Sequence, residues 1–314
     1  MKGSAAERVA VCIATYRRPR MLATLLKALD RLTFRKMPEP RVTVVVIDND
    51  ADASARESVE RAAGRGRWPL CYGIESRRGI SYARNRAIAA AGKDCDFVVF
   101  IDDDEVPRRN WLDELLFVQA NHNADVVAGP VVARFEALPP AWIERGRCFE
   151  RPRYRSGERP AVAGAGNVLI RARQLDRLSG PFDARFALSG AEDTHLFMRL
   201  GNAGARMVWA DEAVVDERVP SSRMKWKWVL QRAYRGGNSY ALCELDVQPG
   251  FSVACVRVAK GAVRVIQGFG LLVLAPAFGV AGLVDAARRM CLGLGMLTGV
   301  LGYRYEEYRQ VHGA

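Results

Sequence analysis

Two groups of carboxylates in this chain could do chemistry. Asp102-Asp103-Asp104-Glu105 closes an apolar run, Phe97 to Ile101, and Glu192-Asp193 follows Ser189-Gly190 at the opening of a helical pattern. Consecutive carboxylates repel one another unless a cation is present, and Mg²⁺ or Mn²⁺ takes oxygen ligands, commonly one or two carboxylates plus substrate phosphates. The plainer role of the acidic run is a solvated turn capping the next helix, and local sequence leaves both roles open. Glu192 and Asp193 also carry two readings. They suit a first helical turn, whose dipole they complement. A positioned carboxylate there could equally act as a general base, taking the proton of a hydroxyl as that hydroxyl forms a new bond. His195 lies close by, but a lone histidine is more often structural, and Glu217 is a weaker ligand candidate.

Three more clusters could bind a ligand. Thr15-Tyr16-Arg17-Arg18 offers a hydroxyl, an aromatic face and two cations. Asp48-Asn49-Asp50 could hydrogen-bond a nucleobase or ribose, or simply build a turn from side chains that bond their own backbone. Arg84-Asn85-Arg86 could meet an anion or form a solvated face. Gly164-Ala165-Gly166-Asn167 permits close backbone approach. Trp226 and Trp228 suit a core or an interface.

Positioning these groups requires strands and helices in alternation. Val9–Ala14, Val42–Ile47, Leu70–Ile74 and Phe97–Ile101 read as buried strands. Between them, Pro19 opens a helix carrying Leu22, Leu25, Leu26, Leu29 and Leu32 at helical spacing, Ala53–Ala63 reads as a polar helix, and Ser81–Ala91 as a third. This βαβαβαβ order predicts an α/β fold, a mostly parallel, Rossmann-like sheet with helices on both faces. Ligands of such sheets bind beyond the carboxyl ends of the strands. Both Asp48-Asn49-Asp50 and the acidic run fall at such ends, so they should share one crevice. Arg134–Ala163, with four prolines and six arginines between Arg145 and Arg159, reads as a long loop near that crevice. Order returns at Gly166–Arg171 and Arg206–Ala210, and a basic helix, Lys225–Cys243, leads to the C-terminus.

Composition narrows the partners. Lys and Arg outnumber Asp and Glu by 47 to 35, a formal charge of +12, which implies anionic company. The basic excess coexists with apolar C-terminal segments, which favours a membrane surface over nucleic acid. Val265–Val284 carries no charge over 20 residues and Met290–Tyr303 none over 14. Core helices, a membrane hairpin or re-entrant pair, and one true span all remain open for these segments. Arg257, Lys260, Arg264, Arg288 and Arg289 flank them and could meet anionic head groups. The seven cysteines stand singly without CxxC spacing, which argues against a zinc site or disulfide framework and for a reducing compartment. The polar start, Met1–Arg8, has no signal-peptide core. A catalytic domain over residues 1–220 and a helical, membrane-associating region over 221–314 are expected.

The order of the motifs is more specific than any one of them. VCIATYRRP, VVVIDND, GISYARNRAI, FVVFIDDDEVP, GAGNVLIR, GPFDARF and SGAEDTHLFMRL together resemble the inverting, GT-A fold glycosyltransferases of family 2 over roughly residues 9–240. ERVPSSR and RAYRGGNSYA are similar to the bacterial exopolysaccharide, succinoglycan-type branch. The resemblance implies a divalent metal, Mn²⁺ or Mg²⁺, and a nucleotide-sugar donor, foremost a UDP-sugar. Thr15 and Tyr16 would line the nucleotide pocket, Asp48 would hold the base and Arg84 would lie near the base or diphosphate, with Arg17, Asp50, Asn85, Asp102 and Asp103 also among the nucleotide-sugar-binding residues. Asp102 and Asp104 would form the DxD motif around Asp103, with Asp104 on the metal and Asp102 nearer the ribose or metal shell. Asp193 would be the catalytic base and Glu192 its support. The acceptor would be a saccharide, free or lipid-linked, and the location the cytoplasmic face of the inner membrane. Processive members carry Q-x-x-R-W after the base. The segment Gln231–Gly236 lacks that spacing, which argues for single-sugar transfer. The rival readings are a non-catalytic nucleotide-sugar-binding scaffold and a nucleotidyltransferase. The paired acids count against the first, and the lack of a Lys-bearing, Gly-rich triphosphate loop counts against the second.

Overall fold

The computed structural model describes residues 6–161 and 163–305. The first residues of the polar N-terminus and residues 306–314 of the expected C-terminal region lie outside that description. Strands β1 (Arg8–Thr15), β2 (Arg41–Asp48), β3 (Leu70–Ile74) and β4 (Phe97–Ile101) alternate with helices α1 (Pro19–Leu29), α2 (Arg56–Ala63) and α3 (Ile80–Ala91). After them come β5 (Glu105–Pro107), α4 (Trp111–His122), β6 (Val126–Ala128), β7 (Val131–Phe135), α5 (Ala141–Arg145), β8 (Asn167–Arg171), α6 (Ala172–Asp176), α7 (Glu192–Asn202), β9 (Met207–Trp209) and β10 (Val215–Val219). The chain ends in two long helices, α8 (Trp226–Val247) and α9 (Phe251–Val300). The polar helix α2 starts later than its sequence pattern suggests, because Ala53 turns through positive φ (55°) and holds the chain in a turn until Arg56.

Seven strands make one sheet in the order β3-β2-β1-β4-β8-β6-β9. The β3, β2, β1 and β4 neighbours are parallel, β8 runs antiparallel to β4 and β6, and β6 and β9 are parallel. A smaller sheet, β5-β10-β7, lies beyond the end of β4. Strand alternation sorts the core into two layers. Val9, Val11 and Ile13 meet the α1 leucines and Trp111, Leu112, Leu115 and Leu116 of α4 on one face, whereas Ala10 and Cys12 meet Ala83 and Ala87 of α3 and Leu196 and Leu200 of α7 on the other.

Register then determines what meets at the sheet's edge. Thr15 pairs with Asp48, and Ile101 with Asn167. Because β8 runs opposite to β4, its beginning lies beside the end of β4, and the glycine-containing turn before Asn167 arrives next to the acidic run. Asn167 fixes this junction: it accepts from Trp111 Nε1 at 2.7 Å and donates to the carbonyls of Ala213 (2.7 Å) and Pro130 (3.0 Å).

Within α9, Gly279 leaves helical geometry (φ 60°, ψ −150°) and divides the element into two arms. A Cβ on Gly261 would lie 3.1 Å from the Gly293 carbonyl, and one on Gly268 would lie 2.8 Å from that of Ala286, so the arms run antiparallel at backbone contact. The second arm meets α8 equally closely, at Gly237 and Gly295. Among the described residues, no helix is long and apolar enough to cross a membrane.

Candidate active site

One cavity of about 680 Å³ opens over the carboxyl ends of β1 and β4. Its floor is the acidic run, and each carboxylate has a different setting. Asp103 is buried; Thr15 Oγ1 donates to it at 2.8 Å and Arg18 Nη1 at 3.0 Å. It therefore ties β1 to the end of β4. Asp104 receives Arg18 and Arg223 on one oxygen, each at 3.2 Å. Burial, with Asp103 next to it, nonetheless pushes the Asp104 carboxyl up to about 6, so the two arginines do not fully offset its charge. Asp102 is 40% exposed and takes Arg84 Nη2 at 2.7 Å. Glu105 is buried and raised well above the ordinary carboxylate range by desolvation and by Asp102. Its Oε2 accepts the Asp102 backbone N–H at 3.0 Å, which holds the turn. A Cβ on Gly166 would lie 2.6 Å from Glu105 Oε1 and 3.1 Å from Asp102 Oδ2, so only glycine lets the β8 turn approach this cluster. Under-compensated oxygens on Asp102 and Asp104 beside open space fit a hard divalent cation that completes its shell with phosphate oxygens.

Asp193 faces the same cavity from the start of α7. Its Oδ1 accepts the Thr194 N–H at 2.6 Å, and its Oδ2 accepts that of Ala165 at 3.3 Å, so the carboxylate is aimed by the turn that also supplies Gly166. The preceding Gly190 and Ala191 both have positive φ, 74° and 67°, and a non-glycine there stores strain next to the functional group. Glu192 points the other way. It is buried, pairs with Arg84 Nη1, and is pushed up to about 7 by burial despite Arg84. Arg84 thus bridges Glu192 and Asp102, joining the two acidic groups through one guanidinium.

The expected ligand-binding residues divide. Thr15, Tyr16, Arg84, Asp102, Asp103, Asp104 and Asp193 line the cavity; Arg17, Asp48, Asp50, Asn85 and Glu192 do not. The structure holds those five outside the cavity lining, and each has a physical reason. Arg17 takes a left-handed conformation (φ 55°) that throws its side chain outward to Asp50, at 3.1 Å. Asp50 is engaged by that pair. Asp48 is fully buried and accepts from the N–H groups of Ala55 (2.8 Å) and Asp50 (3.1 Å) and from the Tyr72 hydroxyl (3.1 Å). Asn85 clamps the backbone of Phe182. Asn49 of the Asp48-Asn49-Asp50 cluster lines the cavity, and sequence reasoning missed Arg78, Arg151, Arg223, Arg232 and Arg235, which line it too. The arginine-rich loop and the basic helix held the signal for three of them, but neither could be aligned to the strand ends before folding. Glu217, the weaker candidate, does line the cavity and is held by Arg151 and Arg223.

His195 lies elsewhere. Its Nε2 is 2.8 Å from Asp246 of α8, and burial lowers its pKa. Asp183, His195 and Asp246 bring three possible ligand atoms within 4.8 Å of one another. Arg185 already stands between the two carboxylates, 2.6 Å from each, so the trio pins α7 to α8 with a guanidinium as its cation.

A mostly parallel α/β sheet carrying an acidic turn at β4 and a carboxylate on α7 that line one cavity is the architecture of a GT-A sugar transferase. The chain belongs to glycosyltransferase family 2: the family model "Glycosyl transferase family 2" matches residues 10–174, and "Glycosyl transferase family group 2" matches residues 97–301. It is a glycosyltransferase. A curated relative, the succinoglycan biosynthesis protein ExoM of Rhizobium meliloti, is 31% identical over 300 residues, covering 94% of each chain. Among solved structures, a mannosyltransferase from Pyrobaculum calidifontis in complex with GDP-Man and Mn²⁺ aligns with a TM-score of 0.64 at 20% identity, over 95% of this chain and 88% of its own. TarS of S. aureus in complex with UDP-GlcNAc aligns at 0.50 and 14% identity, over 95% and 93%. Both likenesses show the shared fold.

Proposed function

We propose that this enzyme transfers a single sugar, with inversion, from a nucleotide sugar to a saccharide acceptor in the synthesis of a bacterial surface or exopolysaccharide. The observation that carries the reading is that Asp193 and the Asp102/Asp104 pair line one cavity. The relative acting in succinoglycan biosynthesis supports the polysaccharide context, and the GDP-Man and UDP-GlcNAc complexes of structural neighbours support a nucleotide-sugar donor. A UDP-sugar is the donor we favour.

Asp102 and Asp104 would hold a divalent cation, Mn²⁺ or Mg²⁺, which when bound supplies charge stabilisation to the diphosphate leaving group. The chain's own residues do the rest. Tyr16 and Asn49 wall the nucleoside end, and Arg84 holds Asp102 in place. Asp193, fixed by two backbone N–H groups, accepts the acceptor's hydroxyl proton as that oxygen attacks the anomeric carbon from the face opposite the leaving diphosphate. One displacement on one face inverts the configuration. Glu192 acts through Arg84 as a positioning residue.

We further place the enzyme on the cytoplasmic face of the inner membrane, working on a lipid-linked saccharide. Ile266, Phe269 and Val273, at 68%, 56% and 79% exposure, line the first arm of α9, and Val280 and Leu283 are exposed on the second. Lys260 and Arg264 stand on the same arm as the first three. An apolar stripe with basic neighbours fits an anionic bilayer surface rather than a span. The deciding experiment is transfer or donor hydrolysis across a nucleotide-sugar panel with Mn²⁺, Mg²⁺ or EDTA. Turnover of one donor that EDTA stops supports the reading, and no turnover of any donor would overturn it in favour of a binding scaffold.

A further inference from the structure

Trp228, Arg232 and Arg235 stand at i, i+4 and i+7 of α8 and all face the cavity. Arg151 enters from the loop after α5, and Arg223 from the turn before α8. Glu217 sits among them with both oxygens engaged: Arg151 reaches Oε2 at 2.5 Å and Arg223 reaches Oε1 at 3.1 Å. Arg223 also touches Asp104, which Arg18 shares. Arg232 has neither an ion pair nor a hydrogen bond among the described residues. Its guanidinium lies over the Trp228 ring, 5.1 Å from the centroid, and Phe149 stacks parallel on that ring at 5.6 Å.

Arg151 is paired with Glu217 and also feels Glu105 and Asp102, and Arg223 is paired with Glu217 and Asp104, whereas no carboxylate lies within ion-pair distance of the Arg232 guanidinium among the described residues. Burial and the neighbouring Arg151 draw Arg232 down to about 10, which still leaves it charged at neutral pH. A charge withdrawn from water without a partner is costly, and the wall of an open cavity is where an incoming anion would relieve that cost. Trp228, itself stacked on Phe149, lies under the Arg232 guanidinium, and a guanidinium can match phosphate oxygens two at a time.

We propose that Arg232, with Arg151, forms an anion site that borders the acidic metal cluster through Arg223 and takes phosphate or diphosphate oxygens of a substrate. This rests on the transferase reading for its substrates but not for its chemistry. Two sources offer the same group: the diphosphate of the nucleotide-sugar donor, and the phosphate that links an acceptor saccharide to its lipid.

The test uses the full chain and inorganic pyrophosphate in EDTA, with binding followed by calorimetry. Wild type should bind, and Arg232→Gln should bind on the order of tenfold to a hundredfold more weakly, the worth of a charge-assisted contact. Lys227→Gln, which removes an exposed cation from the same helix, should bind as wild type. Should Arg232→Gln fail to fold, Arg232→Lys keeps the charge without the fork and should still lose several-fold. Equal pyrophosphate affinity in wild type and whichever Arg232 variant folds overturns the site. Transfer assays then separate the sources. A donor KM raised equally with a neutral saccharide acceptor and with its isoprenyl-diphosphate form assigns the donor's diphosphate. A KM raised only for the isoprenyl-diphosphate acceptor assigns the acceptor's, and no change in either overturns the proposal. If wild type turns over no donor yet binds pyrophosphate through Arg232, the anion site stands and the transferase reading falls.

Discussion

Arg84, on the helix after β3, reaches Asp102 at the end of β4 across 2.7 Å. Its other terminal nitrogen holds Glu192, the residue next to the proposed base. A single guanidinium therefore links the acidic turn after β4 to the acidic start of α7. Glu192 is legible in the sequence as an acid beside another acid, but its buried position makes it a support of Arg84.

The titration of Glu192 should be visible in stability. Its carboxyl is pushed up to about 7 from an ordinary 4.5, chiefly by burial. A raised acid binds its proton more tightly in the folded state, so its contribution is full below about 4.5 and is lost as pH rises through about 7. A glutamine side chain at this position cannot ionise and lacks the dependence. The melting temperature of wild type minus that of Glu192→Gln should therefore fall between pH 5 and pH 8. A difference that is flat or grows with pH would show that Glu192 does not titrate there.

Asp104→Ala should abolish metal-dependent nucleotide affinity and leave the fold intact, because Asp104 caps no helix and its two partners, Arg18 and Arg223, are also held by Asp103 and Glu217. Titrating UDP or GDP into wild type and variant with and without Mn²⁺ checks this. Unchanged Mn²⁺-dependent affinity would remove Asp104 from the metal site.

Asp193→Asn should keep donor affinity and lose transfer by about 10²–10⁴-fold, the usual worth of a general base. The amide is nearly isosteric, but its Nδ2 cannot take a proton. Rates with saturating donor and acceptor decide it. Transfer within a few-fold of wild type would place the base elsewhere.

Gly166→Ala should cost about 1–3 kcal/mol of stability, the range for overpacking a close contact, and weaken metal-dependent donor binding as well. The new methyl would press on Glu105 Oε1 and Asp102 Oδ2, and Glu105 is buried with nowhere to retreat. Chemical denaturation together with donor titration separates the two effects. Stability and binding both equal to wild type would mean the turn relaxes freely.

Much of this fold was legible because its strands are buried on both faces. Val42–Ile47 and Phe97–Ile101 are unbroken apolar runs that end in acids, and the parallel sheet puts those ends together. The residues at Asp48 and Asp50 show where such reading stops. A carboxylate at a strand end can face the ligand or cap the next turn, and backbone dihedrals, such as the positive φ of Arg17, decide which. Arg151 and Arg232 were illegible for a different reason. They lie far apart in sequence, and only tertiary packing brings Arg151, held on Glu217, and the cavity-facing side of α8 to one wall.

The membrane reading can be separated from the catalytic one by a surface change. Removing all of α9 would not do so, because α8 carries Trp228 and Arg232 and packs at backbone distance on the second arm of α9 around Gly237 and Gly295. Ile266→Glu with Phe269→Glu is better chosen. Both side chains are exposed and hold nothing together, so the melting temperature should stay near that of wild type. Wild type should co-sediment with anionic phospholipid vesicles and much less with zwitterionic ones, and high salt should release part of it, because the attraction of Lys260 and Arg264 is screened. The double variant should lose most of this binding, since two charges replace the apolar surface that would enter the interface. Its transfer to a short, water-soluble acceptor should be unchanged, while transfer to a lipid-linked acceptor in vesicles should drop with the lost local concentration. Wild type that ignores anionic vesicles would detach the enzyme from the membrane and leave the apolar stripe of α9 to another partner.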